Sequence, residues 1–316
     1  MINRALIRIK IVQILYSYHK NKGKSLHAAE QELLLSLEKT YELYNLLLLL
    51  AVDITKYGEK RIEMGKNKLR PTKEELSPNT RFINNKFIAQ LAVNADLAKY
   101  VKDNSLSWAE HADLVKGLYD RILASSVYKE YMESKESSYD LDKQLWRKIY
   151  RKIFMPDEAL NDRLEDICIY WNDDIEIVVS FIEKTIKRFV EEKGIAQELL
   201  PMYNEEEDKQ FAVKLLRNII SEDERFNALI DEHAKNWEVD RIAFIDVVIM
   251  KAALGELTDF PTIPVSVTLN EYIEIAKVYS TDKSSIFVNG ILDNIVTTLR
   301  NDNKLLKVGF FVKETK

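Results

Sequence analysis

Along this chain the apolar residues return every three or four positions, and the strict alternation that marks a half-buried strand is rare. That period keeps apolar side chains on one face of a helix, so the pattern predicts an all-α fold. Residues 3–20 form the first such segment, with Leu6, Ile7, Ile11, Val12, Ile14, Leu15 and Tyr18 available for burial. Further helices are expected at 26–63, 80–101, 107–133, 141–154, 157–171 and 174–193. Between them, KNKLRPTKEELSPN at 66–79 reads as a breaker-rich loop, ESKESSYD at 133–140 as a polar hinge and LPMYNEEED at 200–208 as a proline-plus-acid boundary. Ser107 and Glu110 have capping-box spacing.

The clearest punctuation lies from Trp237 to Asp293. Asp240 is placed to cap a helix over 241–257 that is apolar on nearly all sides, which predicts a buried helix. Its charges, Arg241, Asp246, Lys251 and Glu256, must sit at its ends or find partners, because an unpaired buried charge is costly. Pro261 and Pro264 stop that helix, and Thr268 with Glu271 has the spacing to cap the next. Ser284 and Ser285 open a last helix with Val288, Ile291, Leu292, Ile295, Val296 and Leu299 on one face. Gly290 within it costs about 1 kcal/mol relative to alanine, which a close approach of another backbone or a ligand would justify.

A second regularity is an ungapped self-similarity. Residues 142–174 align on 208–240 at an offset of 66. Asp142, Lys143, Gln144, Lys148, Arg151, Ile153, Asp157, Glu158, Asn161, Trp171 and Asp174 each meet an identical residue. Trp is rare and helical periodicity does not select it, so the Trp171/Trp237 pair favours a duplicated helical hairpin.

The formal net charge of −5 does not announce a nucleic-acid binder, but it is unevenly spread. From Met1 to Ala29 there are six basic residues and no acid. Cys168 is alone, so no internal disulfide framework is possible and a reducing, cytoplasmic setting is expected. Arg8, Lys10 and Gln13 interrupt any signal-peptide core, and the apolar run at 46–52 is too short to span a bilayer. His19, His27, His111 and His233 show no metal-ligand spacing, and no phosphate loop, nucleophile elbow or zinc-protease motif occurs. Neither an enzyme nor a cofactor or metal is therefore expected. Asp246 and Lys251, five residues apart on a helix, point to different sides and read as buried structural charges.

These residues also carry a resemblance. Asp246, Met250-Lys251, Glu256, Pro264-x-x-Val267, Asn270-Glu271, Ala276-Lys277 and FVNGILD at 287–293 stand in an order similar to the C-terminal half of the NusB transcription antitermination family. The first helix resembles that family's first one, with Arg4 and Arg8 ahead of Val12-Gln13-Ile14-Leu15-Tyr16. Ala5 and Leu6 fall where the family is commonly basic, which implies fewer phosphate contacts. The resemblance implies a helical bundle made by residues 1–20 and 207–302, with 21–206 as a helical insertion. It also implies binding of single-stranded boxA-type ribosomal-RNA leader RNA together with the ribosomal protein NusE, as part of an RNA polymerase antitermination complex. On this reading Arg4, Arg8 and Lys10 attract phosphate, Tyr16 and Phe287 stack on unpaired bases or pack between helices, and Gln13 and Asn289 hydrogen-bond base edges. The alternative is a protein–protein scaffold of the same fold with weak or no RNA affinity.

Overall fold

The computed structural model describes residues 1–21, 23–203, 206–234, 242–281, 283–305 and 307. Among them the chain is helical throughout, with a single isolated β-bridge between Ile2 and Tyr203. Helix α1 spans Arg4–Lys20, its first turn capped by Asn3, whose side chain accepts from the Leu6 N–H at 2.9 Å. Helix α2 spans Leu26–Lys66. The chain divides within it: one compact unit comprises Ile2–Leu37 with Tyr203–Lys316, the other Met1 with Glu38–Met202. We call them the terminal and the middle unit.

Local capping shortens several middle-unit helices relative to the sequence pattern. Helix α3, Lys73–Leu76, lies inside the expected loop, because Thr72 and Glu75 form a reciprocal capping box. The segment expected as one helix at 80–101 is two, α4 (Lys86–Ala92) and α5 (Ala95–Asp103), as Asn85 and Asn94 each turn a side-chain oxygen onto a backbone N–H of the following turn. Ser107 accepts from the Ala109 N–H, and only a short 3₁₀ turn at Ala109–His111 follows. Ser125 likewise separates α6 (Ala112–Ala124) from α7 (Ser126–Glu133). Helix α8, Tyr139–Ile149, runs into a π-helical stretch at Tyr150–Phe154, and α9 (Glu158–Ile167) and α10 (Ile175–Arg188) complete the unit. Its core gathers Trp108, Trp146, Tyr44, Tyr150, Phe82 and Phe87. Two of the buried polar tips use α2 backbone oxygens: Trp108 Nε1 donates to the Leu46 carbonyl at 2.9 Å and Tyr150 to that of Leu47 at 2.8 Å.

In the terminal unit, α11 (Glu206–Ser221), α12 (Asp223–Ala234), α13 (Phe244–Asp259), α14 (Val265–Tyr279) and α15 (Ser284–Asn301) assemble with α1. Helix α13 is central and touches α1, α11, α12, α14 and α15, which is why no face of it is polar. Asp240, Arg241 and Trp237 lie outside the described residues; α13 itself opens at Phe244, after Ala243. Helix α14 begins three residues before the expected cap. Pro264 occupies the cap position, while Thr268 lies within the helix and donates to Glu256 Oε1 at 2.8 Å. Gly290 is half-buried in α15, whereas a documented close approach is at Gly255, where an added Cβ would sit 2.5 Å from Ile219 Cγ1 of α11. No helix among the described residues is long and apolar enough to cross a membrane.

The two self-similar segments share a burial register. Leu145, Trp146, Ile149, Tyr150, Leu160 and Leu164 are buried in the middle unit, and 66 positions on Phe211, Ala212, Leu215, Leu216, Phe226 and Ile230 are buried in the terminal unit.

Candidate nucleic-acid interface

Helix α1 has to bury an apolar stripe against α11, α13 and α14, and that choice fixes which of its polar residues remain outside. Arg8 goes inside. Its Nε and Nη2 donate to the two carboxylate oxygens of Glu256 at 2.7 and 2.9 Å, and Nη1 donates to Glu271 at 3.1 Å. Burial pulls the guanidinium pKa down, but the Glu256 hydrogen bond and the nearby carboxylates more than offset this, and it is raised overall. Arg8 is thus a structural cation joining α1, α13 and α14, not an open phosphate ligand. Lys10 is also fully buried. Both residues were expected at the surface; α1 instead packs on two sides, so a position two residues from Arg8 is covered as well.

Arg4 stays exposed, its guanidinium carbon 5.1 Å from the Phe211 ring centroid and its Nε 4.0 Å from Asp208. Gln13 donates to the Tyr279 hydroxyl at 3.2 Å, tying α1 to α14 while remaining half-buried. Phe287 is 8% exposed and therefore packs into the unit instead of presenting a ring face. Its neighbour Asn289 is half-buried on α15. The start of α15 is held to the start of α13 by Ser284, which donates to Asp246 at 2.9 Å. Lys251 donates to Asp223 at 2.6 Å and Glu256 accepts from Arg8, so these two buried α13 charges are paired, whereas Asp246 meets only the Ser284 hydroxyl and its Oδ1 has no hydrogen-bond partner among the described residues.

What the structure does bring together at the surface lies at the end of α1. Tyr16, 40% exposed, meets Phe244, 37% exposed, edge to face with centroids 5.4 Å apart. The Lys20 ammonium stands 4.5 Å from the Phe244 centroid and 5.6 Å from that of Tyr16. His19 edges the same ring at 6.1 Å, with its Nε2 3.3 Å from Asp223. Burial and the adjacent Lys251 ammonium lower the His19 pKa against the opposing pull of Asp223, which favours a neutral ring near pH 7.

Two exposed aromatic faces with a cation over them can accept unpaired bases, while Lys20 supplies attraction for the backbone. Of the seven residues expected to bind, only Tyr16 enters this cluster. Phe244 went unnoticed because it sits inside the apolar run 241–257, where an aromatic reads as core. Its place as the first residue of α13, where the ring stays partly exposed, comes from the structure alone, because the sequence put the helix start at 241. No group of three His, Cys, Asp or Glu residues able to hold a metal occurs among the described residues, and Cys168 is a half-buried free thiol.

Comparison with known proteins takes in α10 and Phe244 but not α1 in its family match. The family model described as the NusB family matches residues 173–297. The Transcription antitermination protein NusB of Salinibacter ruber is 39% identical over 110 residues, covering 35% of this chain and 69% of that protein. The protein of the same name from Chloroherpeton thalassium is 43% identical over 101 residues, 32% of this chain and 48% of its own length. A solved structure, T. maritima NusB, shares 32% identity over 37% of this chain and 82% of that one, with a TM-score of 0.28.

Proposed function

Because this chain belongs to the NusB family, we propose that it is a transcription antitermination factor whose terminal unit holds single-stranded boxA-type leader RNA together with NusE. The observation that carries the RNA part of the reading is the exposed Tyr16–Phe244 pair with Lys20 above it. Stacking on such rings is tolerant of sequence and contributes about 1–3 kcal/mol per base. Arg4 adds phosphate attraction at the opposite end of α1, and Gln13 and Asn289, both half-buried, offer amides to base edges. Arg8 acts indirectly, by fixing α1 against α13 and so placing Tyr16 beside Phe244.

A second reading is favoured by one specific observation: Arg8 and Lys10, two of the three expected phosphate ligands, are internal. On that reading the unit is a protein–protein scaffold with weak or no RNA affinity. A salt titration of boxA RNA binding separates the two. The RNA reading expects log affinity to fall with log salt at about 0.7 per neutralised phosphate, whereas the scaffold reading expects no saturable binding with or without NusE.

A further inference from the structure

The middle unit carries a second feature rich in cations, built from two sequence runs whose own charges are all positive. From Lys143 to Pro156 there are five basic residues and no acid, and from Lys184 to Val190 three more and no acid. The first run lies on α8 and its π-helical extension, the second on α10, and these two elements pack together. Their register is fixed by Lys143, which donates to the Phe189 carbonyl at 3.1 Å, and by Arg151, which donates to Glu183 at 2.6 Å. Lys143 and Arg151 are thereby engaged at the two ends of the α8/α10 seam. Arg147 lies midway between them on the same α8 face, half-buried, its Nε enclosed and without an acceptor among the described residues. Lys152, Lys187 and Arg188 are exposed. Lys184 lies with its ammonium 5.1 Å from the Phe181 ring centroid.

The self-similarity shows what is unusual here. It ends at Asp174 and Asp240, so at its 66-residue offset it bears on α8 and not on α10. Arg147 and Lys152 correspond to Val213 and Asn218. Positions that must be polar when uncovered need only be polar; a mixture of lysine and glutamate keeps a surface soluble equally well. In a chain of net charge −5 the charges within 143–156 and 184–190 are nonetheless all cations, and the acids that approach them, Asp140, Glu130 and Glu183, pair with Lys143, Lys148 and Arg151. Solubility does not explain that choice, whereas neutralising a polyanion does.

We propose that the α8/α10 face of the middle unit is a second RNA-binding surface, one that contacts the phosphate backbone without reading bases. The choice of RNA as the polyanion rests on the antitermination reading above; the cationic face does not. Among the described residues no exposed aromatic ring is paired with Arg147, Lys152, Lys187 or Arg188 in the way that Tyr16 and Phe244 accompany Lys20, so this face attracts backbone and leaves base contacts to the terminal unit.

The test uses the full chain and polyuridylate in a salt series. Neutralising the face with R147Q/K152Q/K187Q/R188Q should make the slope of log affinity against log salt shallower by about 2, as expected for some three phosphates at 0.7 each. The charge-keeping variant R147K/K152R/K187R/R188K should retain the wild-type slope. An unchanged slope in the neutralised chain, equal loss in the charge-keeping chain, or no polyuridylate binding by the wild type would each overturn the proposal. A parallel titration with boxA RNA keeps the two readings apart. A Y16A/F244A chain that loses boxA affinity while the neutralised chain keeps the wild-type polyuridylate slope leaves the antitermination reading standing and removes this one. If polyuridylate is ignored while an acidic peptide is captured through the same four residues, the face is a protein-docking surface and the proposal is likewise overturned.

Discussion

At the scale of single residues, the most consequential side chain is Arg8, because its charge is answered from inside. Glu256 is fully buried and accepts from Arg8 and from Thr268, so removing the guanidinium alone leaves a carboxylate without its counter-ion. Arg8→Met should cost about 3–5 kcal/mol in urea denaturation, and pairing it with Glu256→Leu should recover much of that loss, since a buried ion pair is often replaceable by apolar volume. A surface phosphate ligand would show neither effect. Lys307 gives a second signature. Its ammonium donates to the Phe260 carbonyl at 2.9 Å and approaches that of Glu256 at 3.4 Å, and burial pushes its pKa down from 10.5 to about 8. The unfolded chain therefore holds more protons across that interval, and stability should rise with pH from about 8 to 10.5 and be flat just below it. Lys307→Met should remove this rise, measured as unfolding midpoints across the same pH range.

At the scale of elements, α13 is where the sequence was most legible. A run without a polar face can only be a central helix, and its isolated charges had to be paired. Both conclusions needed nothing but the residues, and the second holds for Lys251 and Glu256, while Asp246 meets only the Ser284 hydroxyl. Where α13 touches α11, Gly255 sets the spacing, and Gly255→Ala should lose about 1–3 kcal/mol through overpacking against Ile219, although alanine is the better helix former by about 1 kcal/mol. A gain in thermal stability would show that α11 is free to move aside. Helix ends were less legible. Asn85, Asn94 and Ser125 interrupt stretches whose apolar period continues unbroken, because one side-chain oxygen bonded to a backbone N–H outweighs a periodic pattern locally. Thr268 misled in the opposite direction: its spacing to Glu271 suits a cap, yet Pro264 starts the helix earlier and both side chains serve Glu256 and Arg8 instead. The interface was half legible for a related reason. An arginine in a basic opening segment looks solvated, and only the position of Glu256 and Glu271 in space shows that Arg8 is not.

At the scale of the whole molecule, overall acidity conceals two local cationic features, one at the end of α1 and one along α8 and α10. Each belongs to its own unit, and the proposed function with the further proposal asks bases of the first and backbone of the second. The most direct test is the affinity of a boxA oligonucleotide for the wild-type chain and for the Tyr16→Ala/Phe244→Ala variant at one fixed salt concentration, alongside their thermal unfolding. The account predicts a loss of about 1–3 kcal/mol for each ring removed that had stacked on a base, read at a temperature well below the unfolding midpoint of both proteins. Equal affinity in the two proteins would contradict it.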